Sequence, residues 1–227
     1  MPGLVVITVP PASTQLTALA TAKAEIGVTT TVDDAYIGKL IDRASAAIAS
    51  FIGSALGTQS LSETFRFGWS PGIGPASATV APYGTPLNTQ YKPLVMALPN
   101  ITAIATIVEN GTTLTAGTDF EYDGPAGLIY RLRNSVRSWW NLPTVVVTYT
   151  AGWVLPNDGG TQTMPCDIED CCLALVKSAY FSRARDPNIA MDMLDGDRTQ
   201  FWDRSLSAMV IDSAMQDTLV SYNNRPF

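Results

Sequence analysis

The chain has no histidine among its 227 residues. Without an imidazole, no Ser–His or Cys–His nucleophile pair can be assembled. Charge is scarce too. Asp, Glu, Lys and Arg make up 15% of the residues, against about a quarter in an ordinary globular protein. The 14 basic residues are outnumbered by 20 acidic ones, for a net charge of −6. No stretch gathers Lys and Arg into the stripe that a duplex-binding protein uses to displace counterions from phosphates. Tight, sequence-reading DNA binding is therefore not expected. Cysteine is limited to Cys166, Cys171 and Cys172, an odd count that fits a reducing compartment better than a disulfide scaffold. Cys166 and Cys171 stand five positions apart, about 140° around a helix, whereas helical chelation wants three or four and a tetrahedral site wants four ligands. The expectation is buried thiols and no metal. The opening, MPGLVVITVPPAS, has no basic n-region, and its apolar run is too short for a signal peptide or a membrane span. A chain made and folded in a cytoplasm, without a lipid anchor, is the expectation.

What is present is apolar. Hydrophobic residues reach 46%, enough for one large domain or two small ones with a real core. So little charge leaves neutral surface, part of which is expected to meet other chains. Leu4 to Thr8 reads as a short strand stopped by Pro10 and Pro11. A short helix follows at about 14–26, with Ser13 or Thr17 as cap, a stripe of Leu16, Leu19, Ala20 and Ala24, and Gly27 as stop. A longer helix is predicted over 31–53. Thr31 can cap it, and Asp33 and Asp34 suit the positive end of its macrodipole. Ile37, Leu40, Ile41, Ala44, Ile48, Phe51 and Ile52 recur at the spacing of one face. Burying such a stripe contributes about 1.5–3 kcal/mol per large side chain before entropy is charged.

From Glu63 the period changes to two, and a β-meander is predicted over about 63–150. It is interrupted by residues 68–92, which hold four Gly, four Pro, no acid and one base, Lys92. A loop this long is usually functional or disordered, and Trp69, Tyr83 and Tyr91 argue against pure disorder. Two readings stay open: a plain surface loop, or an arm that orders against a neighbouring subunit or partner. Beyond it, Asn110-Gly111 is a strong hairpin signal, and Gly124-Pro125-Ala126-Gly127 marks another turn. VVVTYTAGW at 145–153 closes the sheet, with Val145, Val147 and Tyr149 on one side and Val146, Thr148 and Thr150 on the other. Gly152 permits a turn that a Cβ would resist.

A third helix is predicted over 165–184. Pro165 lies in its first turn, Asp167, Glu169 and Asp170 at its positive end, and Lys177, Arg183 and Arg185 at its negative end. Ile168, Cys172, Leu175, Val176 and Ala179 form its stripe. The tail from Asp186 onward carries seven Asp against Arg198, Arg204 and Arg225, and so supplies −4 of the net charge. It is only weakly periodic around LSAMVIDSAM, yet it contains Phe201, Trp202, Tyr222 and Phe227. An acidic but aromatic tail is expected to be ordered by contact.

Chemistry is hard to find. Asp192, Asp195, Asp197 and Asp203 depart from a calcium loop, which needs acids at alternate positions before its Gly and a distal Glu. A solvated acidic turn is the simpler reading. Gly72-Ile73-Gly74 lacks the third glycine and the Lys of a phosphate cradle. Carboxylates are plentiful enough for a hydrolytic pair, but nothing singles one out.

The order of the parts resembles the head–tail connector family of tailed phages, also called head completion or adaptor proteins. TVPPASTQLTALATAKAEIGV followed by VDDAYIGKLIDRASAAIASFIG is similar to its N-terminal half, where a short helix precedes one opening on an Asp-Asp pair. LPNITAIATIVENGTTL, DFEYDGPAGLIYRL with Trp139-Trp140 after it, VTYTAG and MPCDIEDCCLALVKSAYFSRAR match the family's meander and its final helix. The likeness spans roughly residues 4–185. The 68–92 loop is longer than the family pattern, and the tail beyond 186 matches only in its closing YNNRPF.

The resemblance implies an α+β protein: a small helical bundle, two N-terminal helices plus a third after the sheet, with an inserted antiparallel β-meander. It implies a connector domain at 1–185 and an extended C-terminal docking tail at 186–227. It further implies a structural ring, usually of twelve copies, beneath the portal in the virion neck. Such a ring extends the DNA channel without binding DNA specifically and presents a platform to the next neck, stopper or tail protein. On that reading there is no catalytic residue, metal, cofactor or membrane partner. Phe201, Trp202, Tyr222, Arg225 and Phe227 dock on the portal or a neighbour, and Trp69, Tyr83 and Tyr91 make an inter-subunit or tail-side contact. The alternatives are another neck protein such as a tail terminator or stopper, a carboxylate-dependent hydrolase using the 192–203 segment, or a monomeric ligand-binding module.

Overall fold

The computed structural model describes residues 4–66, 93–140, 143–183 and 211–222, and the backbone of 191–194 and 198–201. Within them the chain is α+β, with four helices and sheets whose strands all pair antiparallel. It divides into two compact units, each assembled from separated stretches of sequence. One comprises residues 1–11 and 58–152, the other 12–57 and 153–227.

The first unit is all β. Strands β1 (Leu4–Val9), β2 (Gln59–Arg66), β4 (Ile101–Glu109), β5 (Thr112–Thr113) and β9 (Thr144–Ala151) form a sheet in the order β1-β2-β9-β4-β5. A second sheet holds β3 (Leu94–Val95), β7 (Leu128–Arg133) and β6 (Phe120–Asp123), with β8 (Val136–Ser138) paired to β7. Strand β9 alternates as its sequence predicts: Val145, Val147 and Tyr149 are fully buried, while Val146, Thr148 and Thr150 are half-buried. Val145, Val147 and Tyr149 pack with Leu61, Phe65, Ile107, Phe120 and Ile129 in one core shared by both sheets. Asn110 and Gly111 both take positive φ (48° and 83°), as a type I′ hairpin between β4 and β5 requires. A second hairpin of the same kind, at Asn134 and Ser135 (φ 51° and 60°), makes β8, a strand the sequence reading did not anticipate. At the 124–127 turn, a Cβ on Gly124 would lie 2.6 Å from the carbonyl oxygen of Ile101. That approach excludes any other residue unless the backbone moves.

Two sets of buried polar side chains lie in this unit. Glu63 on β2 is 1% exposed and accepts hydrogen bonds from the Ala97 amide and the Tyr149 hydroxyl, both at 3.1 Å. Burial, and then the Glu63 carboxylate, push the Tyr149 phenol well above its ordinary range. Arg131 on β7 reaches Glu109 on β4 with Nε at 3.0 Å and donates from its Nη1 to the Asp119 and Leu132 carbonyls at 2.6 Å. This buried pair links strands of the two sheets.

The second unit is mostly helical: α1 (Leu19–Ile26), α2 (Asp34–Ile52), α3 (Cys166–Ser182) and α4 (Ser213–Val220). Ile37, Leu40, Ile41, Ala44, Ile48 and Ile52 of α2 pack with Ile168, Cys172, Leu175 and Val176 of α3 in a single core, with Phe51 and Ala179 at its margin. Helix α1 starts later than predicted and presents a different face. Ala22 and Ile26 are buried, whereas Ala20 and Ala24 are exposed. Residues 14–18 stay irregular because their side chains are used elsewhere. Ser13 Oγ accepts from the Gln15 amide, and the buried Thr17 donates to Glu169 at 3.0 Å instead of capping the helix. Leu16 enters the core, and its amide donates to Ser45 Oγ at 3.0 Å. Thr31 does not cap α2 either. Asp33 occupies that position and spends its carboxylate on α3. Of the three thiols, Cys171 and Cys172 are buried as expected, but Cys166 is exposed at the first residue of α3.

The tail contains structure that its weak periodicity concealed. Strands β10 (Met191–Leu194) and β11 (Arg198–Phe201) pair with each other, while Asp195, Asp197 and Asp203 of the expected acidic turn lie outside the described residues. Helix α4 is capped by Asp212, whose side chain accepts from the Met215 amide at 2.8 Å. Leu219 is fully buried in the helical core, and Ile211, Met215 and Tyr222 pack against its edge.

Two outcomes follow for stability. Arg131→Met strips a buried carboxylate of its guanidinium, so urea unfolding should register a loss of about 3–5 kcal/mol. A loss below about 1 kcal/mol would mean that Glu109 does not depend on the pair. Leu219→Ala opens a cavity where α4 meets the helical core and should cost about 2–5 kcal/mol. Amide exchange should quicken first at 213–220 if α4 is held chiefly by this side chain.

Candidate interaction site

Among the described residues, no group of three His, Cys, Asp or Glu side chains stands close enough to hold a metal ion. The exposed Cys166 thiol is no ready nucleophile. A hydrogen bond to Asp167, and then that carboxylate's charge, push it up from its ordinary range. Burial pushes the Cys172 thiol up to about 12. What stands out on this molecule is apolar surface.

The aromatic residues expected to make contacts are distributed unevenly. Trp69, Tyr83, Tyr91, Trp202, Arg225 and Phe227 lie outside the described residues, and Phe201 is described only as backbone, at the end of β11. Tyr222 is visible and already engaged within its own chain. Its hydroxyl donates to Asp167 at 3.1 Å, and its ring meets Trp153 edge-on, centroids 6.2 Å apart. Burial, and then Asp167, raise its pKa. Tyr222 therefore fastens the end of α4 to α3.

Among the described residues, the longest run of apolar exposure comes from β1, which the sequence reads as a short strand without revealing that it is exposed. All six residues of β1 are exposed, with Leu4, Val5, Val6, Ile7 and Val9 ranging from 38% to 64%. Among the described residues β1 is an edge strand, paired only with β2. Since side chains alternate across a strand, these residues expose both faces at once. The signal was present in LVVITV, which does not alternate. A continuous apolar run is the composition of a strand buried on both sides.

A second exposed patch lies on the helical unit. Val32, 87% exposed, precedes α2, and Phe181, 61% exposed, sits near the end of α3. Between them Asp33 accepts from the Tyr180 hydroxyl at 2.7 Å and pairs with Arg183 at 2.9 Å. The Arg183 guanidinium also covers the Tyr180 ring, 4.4 Å from its centroid. The hydrogen bonds from Arg183 and then Tyr180 hold the Asp33 carboxyl below its ordinary range. This network fixes the α2–α3 corner and leaves the Phe181 ring outside it, edge-on to Tyr180.

No protein-family model matches the chain, and no curated protein does. Solved structures do match in fold. One is a chain in the neck of an empty GTA particle computed with C6 symmetry, with a TM-score of 0.52 and 13% identity, covering 99% of this chain and 97% of that one. Another comes from the virion of a native gene transfer agent particle, with a TM-score of 0.51, 13% identity and the same coverage. Along nearly its whole length, this chain has the fold of those neck and virion chains.

Proposed function

We propose that this chain is a structural, non-enzymatic head–tail adaptor of a tailed, phage-like particle, acting in the virion neck as a ring beneath the portal. The observation that carries this reading is the end-to-end likeness in fold to a chain from a neck computed with C6 symmetry. A local likeness would leave room for a different whole, and this one leaves almost none of either chain unmatched. A ring of twelve copies is compatible with six-fold symmetry. The physical features agree. Low charge and an uncharged, mainly apolar exposed strand suit repeated subunit contacts, and cyclic rings join two different patches of each copy. A net charge of −6 without a basic stripe suits a channel through which DNA slides without being held.

Docking falls to the segment beyond Tyr222, which carries Arg225 and Phe227, together with Phe201 and Trp202. The 68–92 loop, with Trp69, Tyr83 and Tyr91, faces a neighbouring subunit or the tail side. On this reading 1–185 and 186–227 are functional divisions, a connector body and a docking tail. Deleting 213–227 would remove Leu219 from the helical core and confuse docking with folding, so the informative truncation ends at Tyr222. The shortened chain should melt as the full chain does and lose capture by purified portal rings. Undiminished capture would sink the docking assignment. Capture by tail tube and not by portal would instead make the protein a terminator. Asp195→Asn and Asp197→Asn should leave assembly into particles unchanged.

A further inference from the structure

Strand β1 poses a problem that its own chain does not solve among the described residues. An exposed edge strand offers unpaired amides and carbonyls to any other strand, and soluble proteins usually blunt such edges with lysine, inward charges, proline or bulges. Leu4–Val9 contains no charged residue, and its one irregularity, between Ile7 and Val9, comes at its end just before Pro10 and Pro11. Leu4 and Val6 on one face, and Val5 and Ile7 on the other, are exposed.

The same sheet has a second open edge on its far side. Strand β5 covers β4 only at Val108 and Glu109, the Ile107 carbonyl accepts from Leu114, and the Ile101 amide is taken by the Gly124 carbonyl. Residues 102–106, TAIAT, have no strand beside them on that side among the described residues. Thr102, Ala103, Ala105 and Thr106 are exposed; the stretch has two register irregularities against β9, at Ile101/Ala103 and Ile104/Thr106, but neither a charge nor a proline guards it. Its small side chains leave room for larger ones alongside.

Polarity decides how the two edges can meet. Across β1, β2, β9 and β4 every neighbour is antiparallel, so β4 runs opposite to β1. A further β1 placed beyond β4, in the sense the sheet already has, is again antiparallel to its neighbour. The alternation carries on unbroken. We infer that β1 of one copy adds to the 102–106 edge of β4 in a second copy, so that the sheet continues from subunit to subunit. The two patches differ, which makes the junction heterologous, the kind that closes rings. That it repeats around a closed ring rests on the neck reading above; the junction itself rests on the two edges.

The experiment blocks each edge separately in the full-length protein. Val5→Lys with Val6→Lys puts a cation on each face of β1, and Ala103→Lys with Ala105→Lys charges the β4 edge. All four positions are exposed, so both variants should melt as the parent does. In sedimentation, the parent should associate with rising concentration, and each variant alone should associate at least about tenfold more weakly. Mixed in equal amounts, the two should form one-to-one pairs and nothing larger, since one copy keeps an open β4 and the other an open β1. Self-association of the β4 variant alone would mean a two-fold β1–β1 pair and would overturn the proposal. A parent that remains monomeric at every concentration would overturn it as well. The neck reading is judged separately by portal capture. Chains that pair as described but ignore the portal refute only that reading, and chains that assemble beneath it with both edges blocked refute only this junction.

Discussion

Strand β9 is the member on which the sheet unit depends. Its eight residues pair with β2 from Thr144 to Ala151 on one side, and over nearly the same span with β4 on the other. Val145, Val147 and Tyr149 supply the centre of the core. A slip of one residue would turn all three outward and break the Tyr149–Glu63 hydrogen bond. Among the described residues strand β1 joins the sheet only through β2, so its placement is inherited from β9. The strand works as a wall. Its residues hold neighbours in register, and none stands in a cluster of reactive side chains.

Much of this was legible because the relevant forces are local. The α2 stripe, the alternation of β9 and the Asn110-Gly111 hairpin each depend on residues within a few positions of one another, and each appears where it was read. The misreadings arose where a distant partner claimed a side chain. Thr17 looked like a cap, but Glu169 takes its hydroxyl. The acids before α2 looked like dipole partners, but Asp33 belongs to Tyr180 and Arg183. Helix α4 was hidden because one buried residue, Leu219, holds an otherwise exposed helix, and a single apolar position creates no period. The Arg131–Glu109 pair joins two sheets, and nothing in the spacing of those residues announces it.

The interaction site was half legible. Aromatic residues in irregular or acidic segments drew attention by composition, yet Tyr222 among them serves the chain's own helical core. The more informative feature was the plainest stretch of the sequence. LVVITV passed as an ordinary short strand because strand propensity and apolarity are satisfied by burial of either kind. Only the sheet order, which leaves β1 at an edge, turns its two-sided apolarity into exposed surface. Aromatic side chains suggest where a partner is gripped, whereas strand order identifies backbone that lacks one among the described residues.

The discontinuous make-up of both units sets a timetable for the nascent chain. Glu25 waits for Lys177, and Thr17 for Glu169, each separated by 152 positions. When α2 leaves the ribosome, the helix that will cover its Ile37–Ile41–Ile48 stripe has not been made. At about 5–20 residues per second, α3 follows only after on the order of ten seconds. During that interval β1 also waits for β2, which emerges some fifty residues later. The early chain thus carries two apolar, unsheltered segments until their partners emerge. Exposed apolar stripes and unpaired strands of this kind are where a nascent chain is open to mispairing, and here the exposure lasts until residue 166 and beyond have emerged.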